Sequence, residues 1–237
     1  MTIFPTKLQQ EEIQTRTLAS DVRERLRADI VSGMLKPGLR LRFEELRARY
    51  DVGLSPLREA LFRLVSEGLV ISEDHRGFRV APVSRMKLMD ISFMRKELES
   101  MALKLSIERG DIAWESAVLA SFHQLSSIST NNNNGSLDLE WGRRHKAFHF
   151  TLASACGSDW LLQFRETLAD QWARYSNLCI QFTRYERDVL AEHREIMEAA
   201  LARDAPAGVY LIGRHISRST QIVLDSDATL FALDDPN

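Results

Sequence analysis

Two cysteines in 237 residues, Cys156 and Cys179, are too few for a disulfide framework. No apolar run approaches the length of a membrane span, and the N-terminal stretch lacks the apolar core of a secretory signal. A reducing cytoplasm is therefore the expected compartment. An excess of charge of one sign is missing too. The formal net charge is −2, so bulk electrostatics do not announce a nucleic-acid partner. Gly-rich phosphate loops, a serine elbow and a Cys–His pairing are all absent, which argues against an enzyme.

What is present is enough apolar material, 44% of residues, to build a real core in two domains. The charge is unevenly spread. Residues 17–83 hold 12 Lys+Arg against 10 Asp+Glu, whereas residues 84–237 hold 17 against 21. The N-terminal part organises the chain. Ser55 is placed to cap a helix, with Pro56 at its first position. Leu57, Leu61, Leu64 and Val65 then fall on one face at spacings of three and four, and Gly68 ends the run. Arg58 and Arg63 point elsewhere, giving a short helix with a cationic outer side that suits the major groove of DNA.

Phe43 to Tyr50 reads as a second short helix, joined to the first through a turn at residues 51–54 in which Gly53 supplies backbone freedom. Two β-prone runs, Leu69-Val70-Ile71 and Phe78-Arg79-Val80, flank the polar Glu73-Asp74-His75-Arg76-Gly77, a hairpin with a basic tip. Thr17 to Met34 forms the leading helix, with Leu18, Val22, Leu26 and Ile30 on one stripe.

From Ser84 onward the pattern is helical almost throughout. Helices are expected over Met86–Arg109, Trp114–Ser129, Leu137–Cys156, Trp160–Phe182, Arg187–Arg203 and Pro206–Leu224, with a polar loop at Asn131–Gly135. The chain is thus predicted to be mainly α: a flexible arm at 1–16, a winged helix-turn-helix at 17–83, an antiparallel bundle of six or seven helices at 84–228, and a tail at 229–237. His145 and His149 stand at i and i+4, a spacing that lets two imidazoles grip one metal ion. His193 and His215 lie among apolar residues at helical spacing on later helices. Buried, hydrogen-bonded core histidines are the plainer explanation of the same pattern.

The motifs together resemble a known family. Pro37-Gly38-x-x-Leu41, Leu57-Arg58-Glu59-Ala60-Leu61-x-x-Leu64, Glu67-Gly68-Leu69-Val70 and Gly77-x-x-Val80 are similar to the GntR family of bacterial regulators. Leu54 departs from the pattern, standing where that family usually carries a DNA-contacting arginine. The resemblance implies a homodimer reading a palindromic double-stranded operator, most simply as a repressor. The implied DNA-facing residues are Arg47, Ser55, Arg58, Arg63, His75, Arg76 and Gly77.

The second half resembles the ligand-sensing (FCD-type) domain of the family's FadR branch, through Arg95-x-x-Leu98-Glu99, Phe148-His149-x-x-Leu152-x-x-Ala155 and Glu192-His193-x-x-Ile196, with His215 beyond. In many such members an Asp and three His bind a divalent metal. Here His145 takes the place of the Asp, which favours Zn²⁺ or Ni²⁺ over harder ions. Arg144-His145-x-Ala147-Phe148-His149, followed by Cys156-Gly157-Ser158 and Leu161-Leu162-Gln163, is similar to members that respond to glutarate. That implies a small dicarboxylate or hydroxy-acid effector, with Arg95 as a paired contact for a carboxylate. An ion pair of Arg95 with Glu99, or a solvated face, is an equal alternative. The long helix at Ser84–Arg109 is expected to couple effector to DNA. Two rivals remain at this level: a metal that is purely structural, and a metalloenzyme. The latter is disfavoured because Lys146 follows His145 where a zinc peptidase needs a glutamate.

Overall fold

A computed structural model describes residues 17–73, 76–128, 139–179, 187–226 and Phe231. The expected arm at 1–16, His75 at the wing tip, the loop at Asn131–Gly135 and most of the tail lie outside the described residues. The chain divides into two compact units, with the boundary between Pro82 and Val83.

In the first unit, Thr17 caps α1 (Leu18–Val31), its hydroxyl accepting from the Ser20 N–H at 3.2 Å. Ala19, Val22, Leu26 and Ile30 form the buried stripe. Leu18 is 72% exposed, so the stripe begins one residue later than the sequence pattern suggested. After Gly38 (φ +75) the short strand β1 (Arg40–Leu41) leads into α2 (Phe43–Tyr50). The tight turn after α2 is made differently from the expectation. Asp51, not Gly53, takes the left-handed conformation (φ 51), and Gly53 sits in extended geometry as the N-cap of α3 (Leu54–Ser66). A short polar side chain tolerates that region, which releases Gly53 to start the next helix. Ser55 is accordingly not a cap. It occupies the second helical position, and no side chain among the described residues caps the helix.

Strands β2 (Val70–Glu73) and β3 (Gly77–Val80) form the wing, pairing antiparallel with Val70 opposite Val80 and Glu73 opposite Gly77. Strand β1 pairs with the other side of β3, giving the order β1-β3-β2. A two-residue strand leaves too short a pattern to be read from sequence. The core of this unit joins Leu26, Leu57, Leu61 and Leu64 to Leu69 and Val80, all essentially inaccessible to solvent. Asp29 ties the scaffold, accepting from the Tyr50 hydroxyl at 2.6 Å and from Arg49 at 2.7 Å.

The second unit contains six helices among the described residues: α4 (Arg85–Arg109), α5 (Ile112–Ser126), α6 (Leu139–Ala153), α7 (Asp159–Cys179), α8 (Val189–Leu201) and α9 (Ala205–Ser226). Ser84 and Asp111 cap α4 and α5 through the N–H groups of Lys87 and Trp114. One core joins Trp114, Val118, Phe122 and Leu125 of α5 to Phe148 and Leu152 of α6, Ile196 of α8 and Ile212 and Ile216 of α9. Helices α4 and α9 approach closely at Gly208, where a Cβ would stand 2.9 Å from Ile107 Cδ1. The hydroxyls of Ser92 and Thr220 meet across the same contact at 2.6 Å. This packing holds the middle of α6, α8 and α9 around one buried point, and the histidines are there.

Candidate functional site

The first unit presents an exposed outer face on α3. Ser55, Arg58, Glu59, Phe62, Arg63 and Ser66 line one shallow groove, while Leu57, Ala60, Leu61 and Leu64 hold the opposite face in the core. Arg63 is tied to Glu59 at 2.7 Å. Arg58 has no carboxylate partner among the described residues, and its guanidinium lies 5.6 Å from the Phe43 ring centre. Arg47, Arg76 and Gly77 are exposed as well, and Leu54 at the head of the helix is 44% exposed. Without a capping side chain, the first N–H groups of α3 stay open toward an anion.

In the second unit the four singled-out histidines converge. One nitrogen from each of His145, His149, His193 and His215 lies within 4.8 Å of all the others. His149 Nε2 stands 3.2 Å from His145 Nε2 and 3.1 Å from His193 Nε2. Nitrogens bound to one tetrahedral zinc at about 2.1 Å would sit about 3.4 Å apart, close to these separations. Three of the four residues are buried, and burial is the first cause that pushes all four imidazoles below their usual range. Repulsion from neighbouring imidazoles and from Arg95 acts in the same direction on His145 and His149, and Arg187 adds to it on His145. Neutral imidazoles with converging lone pairs are metal ligands in waiting, and the donor set fits a divalent ion of intermediate softness. The plainer explanation, separate core histidines each with its own hydrogen bond, does not describe this convergence.

Sequence reasoning missed the groups that orient the site. Glu192 Oε2 lies 2.9 Å from His215 Nδ1, and the carboxylate is also held by Arg187 and Arg218. Burial alone would raise the pKa of Glu192, but hydrogen bonds from His215 and Arg187 outweigh it and bring it to about 2. A carboxylate that stays ionised can only accept, so it holds the proton on Nδ1 and turns the Nε2 lone pair toward the cluster. Arg187 also approaches Nδ1, at 3.2 Å, but a guanidinium can only donate and would favour the opposite tautomer. Glu192→Gln removes the obligate acceptor. We expect zinc affinity to fall roughly 10- to 100-fold with one equivalent still bound at saturation. Competition with a chromophoric chelator measures this, and an unchanged affinity would take Glu192 out of the role.

Arg95 borders the same region. It is buried, and its Nε is 3.8 Å from Glu99, beyond hydrogen-bond range. The stronger partner of Glu99 is Arg165, at 2.5 Å. Burial excludes a solvated face for Arg95, and Glu99 is its neighbour without satisfying it. Arg143 and Arg144 lie toward the surface and pair with Glu140. Lys146 turns away from the histidines to Glu166 and Asp170, so the residue after His145 is no general base.

Comparison with known proteins agrees with this division. Residues 18–80 match the model for bacterial regulatory proteins of the gntR family, and residues 90–218 match the FCD domain. The regulator BphR of Paraburkholderia xenovorans is 39% identical over 88% of this chain and 86% of its own length. The repressor GlaR of Escherichia coli is 38% identical over 84% of this chain and 92% of its own. Among solved structures, E. coli McbR/YncC superposes with a TM-score of 0.75 at 22% identity, covering 88% of this chain and 97% of that one. A regulator from Rhodococcus sp. RHA1 gives 0.70 at 20% identity, covering 88% and 98%. These two likenesses speak to the fold alone.

Proposed function

Since this chain belongs to the GntR family of DNA-binding transcriptional regulators and carries an FCD domain, we propose that it is a metal-dependent, acid-responsive repressor. In this reading the four histidines hold one Zn²⁺ or Ni²⁺, the ion takes a small carboxylic acid (dicarboxylate or hydroxy acid) as a further, fifth ligand, and Arg95 receives a carboxylate. The observation that carries the sensing half is Arg95. A buried guanidinium with no hydrogen bond among the described residues, close enough to depress three of the histidines, has the character of an anion receptor. Arg58 contacts a base or phosphate, Ser55 and Arg76 the backbone, with Arg47, Arg63 and Gly77 alongside. His75 belongs to the same proposed wing contact.

Repression follows the named role of GlaR. Action as a homodimer on a palindrome is supported by an apolar stripe on α4, where Met86, Met89, Phe93 and Met101 are 82%, 56%, 61% and 53% exposed. No helix among the described residues is long and apolar enough to cross a membrane, as suits a protein working on cytoplasmic DNA.

The metal's role is binding. When bound it supplies a positive Lewis-acidic position for an oxygen ligand, while His145, His149, His193 and His215 fix its place and Glu192 fixes one tautomer. The test is a thermal-shift titration of zinc-loaded protein with short diacids, hydroxy acids and matched monoacids. Stabilisation by diacids or hydroxy acids but not monoacids is expected, together with a changed operator affinity. If no acid moves the transition, the second reading holds: four histidines saturate a purely structural ion.

A further inference from the structure

Between α4 and α7 two buried arginines meet one carboxylate. Arg95 and Arg165, both buried, share the single carboxylate of Glu99. Arg165 takes the better part of it, through Nε to Oε2 at 2.5 Å, and donates a second N–H to the His149 carbonyl at 2.5 Å. One positive charge in this triad is therefore left without a counter-charge. Glu99 Oε1 is itself unpaired, and a small movement would let Arg95 Nε close on it from 3.8 Å. That would engage one of the five N–H groups of the guanidinium and leave four.

Trp172 of α7 lies against the same group. Its ring centre is 4.6 Å from the Arg95 guanidinium carbon, a cation–π contact that uses the face of the indole and none of its hydrogen-bonding capacity. The indole Nε1–H is buried and has no acceptor among the described residues. Two side chains in contact, each with an unmet donor and with one uncompensated charge beside them, are costly to bury. A single planar anion relieves both at once.

We propose that Trp172 is an effector-binding residue: its indole N–H and the free edge of Arg95 together receive one carboxylate of the acid, at a corner held by Glu99 and Arg165. This rests on the acid-sensing reading above and adds a residue and a shape to it. Carboxylate is favoured over phosphate by charge, because the triad has one positive charge to offset and a phosphate monoester carries about −1.5 to −2 near neutral pH. It is favoured by shape as well, since a flat two-oxygen acceptor matches the guanidinium fork while its second lone pairs remain for the indole N–H. Arg165, which touches Glu99 and the His149 carbonyl, is a positioning residue here.

The experiment uses the zinc-loaded full chain and Trp172→Phe, which keeps the ring and removes the N–H. Calorimetric titration with glutarate is expected to show affinity lowered about 10- to 100-fold in the variant, the worth of one hydrogen bond to a charged group. Melting temperature and zinc equivalents are expected to hold, and butyrate, with one carboxylate fewer, to bind both proteins equally weakly. Equal glutarate affinity in the two proteins would overturn the role of Trp172 and leave the sensing reading intact. If glutarate, succinate and lactate all fail to bind the unmutated protein, the sensing reading falls and this inference with it. Tighter binding of inorganic phosphate than of any acid would overturn the choice of carboxylate. Should Trp172→Phe melt early, the unmutated chain labelled with ¹⁵N-tryptophan decides instead. One of its four indole N–H resonances is expected to move downfield with glutarate, and four unmoved resonances would reject the contact.

Discussion

Zinc added to metal-free protein is expected to raise its melting temperature strongly and to bind at one equivalent per chain. An ion that binds only the folded state stabilises it by about 4 kcal/mol when free metal exceeds the dissociation constant a thousandfold. For a chain of this size each kcal/mol moves the transition by roughly 2–4 °C, so a rise on the order of 8–16 °C follows. His149→Ala is expected to abolish the rise, because His149 Nε2 is the atom within 3.2 Å of two other imidazoles. The same cluster sets a pH dependence in the metal-free protein. All four imidazoles are held below their usual range by burial, so the folded state binds fewer protons than the unfolded one once pH falls below about 6.5. The sign is thus a stability fully present above about pH 6.5 and lost progressively as pH falls below it. Melting scans from pH 8 to pH 5, with and without zinc, measure both effects. A transition that ignores zinc and nickel alike, or a His149→Ala protein that responds as the unmutated one does, would remove the metal centre.

Much of this was legible in the residues because two kinds of signal are local. The stripe Leu57, Leu61, Leu64 needs only the period of a helix to be seen, and these three are fully buried. The i, i+4 pair His145 and His149 likewise needs only one turn of α6. Signals that require two elements were harder. Strand β1 exists because Arg40 and Leu41 find Arg79 and Phe78 across the sheet, a pairing with no local pattern. The start of α3 was misplaced because Ser55-Pro56 is a strong local cap signature, while the actual start is fixed by Asp51 turning left-handed two residues before Gly53. Local propensity lost to the geometry of the turn.

The site shows the same division. His193 and His215 carried a hint in their apolar neighbours, but only the packing of α6, α8 and α9 brings them to His149. Glu192 had no such hint. It is next to His193 in sequence, yet its carboxylate serves His215, on another helix. Trp172 reads as one more aromatic on an amphipathic helix. Its unmet N–H becomes visible only when Arg95, from α4, is seen against it with Glu99 already engaged. Buried polar bookkeeping is a property of the assembled core, so no window of sequence contains it.

Arg58→Ala is expected to cost operator binding more than any other single change on the DNA-binding face. Arginine forms a two-pronged contact to guanine O6 and N7 worth about 1–3 kcal/mol, and a two-fold symmetric dimer makes the contact twice. The loss is then on the order of 100- to 10,000-fold in affinity. Arg58 is singled out over Arg63 by its surroundings. Arg63 would have to leave Glu59, 2.7 Å away, before it could serve DNA, whereas among the described residues Arg58 has only the Phe43 ring to leave. That contact is worth about 0.5–1 kcal/mol at an exposed site, so the fold is expected to survive with a melting temperature within a few degrees of the unmutated protein. Salt dependence tells the two kinds of contact apart. If Arg58 reads a base, the slope of log affinity against log salt stays nearly fixed while affinity drops. If it neutralises a phosphate, the slope falls by about one for each protomer. Gel-shift or anisotropy titrations of a selected operator at three salt concentrations give both quantities. Affinity within twofold of the unmutated protein at every concentration would move DNA recognition off this residue and onto the open N-terminus of α3 and its Leu54.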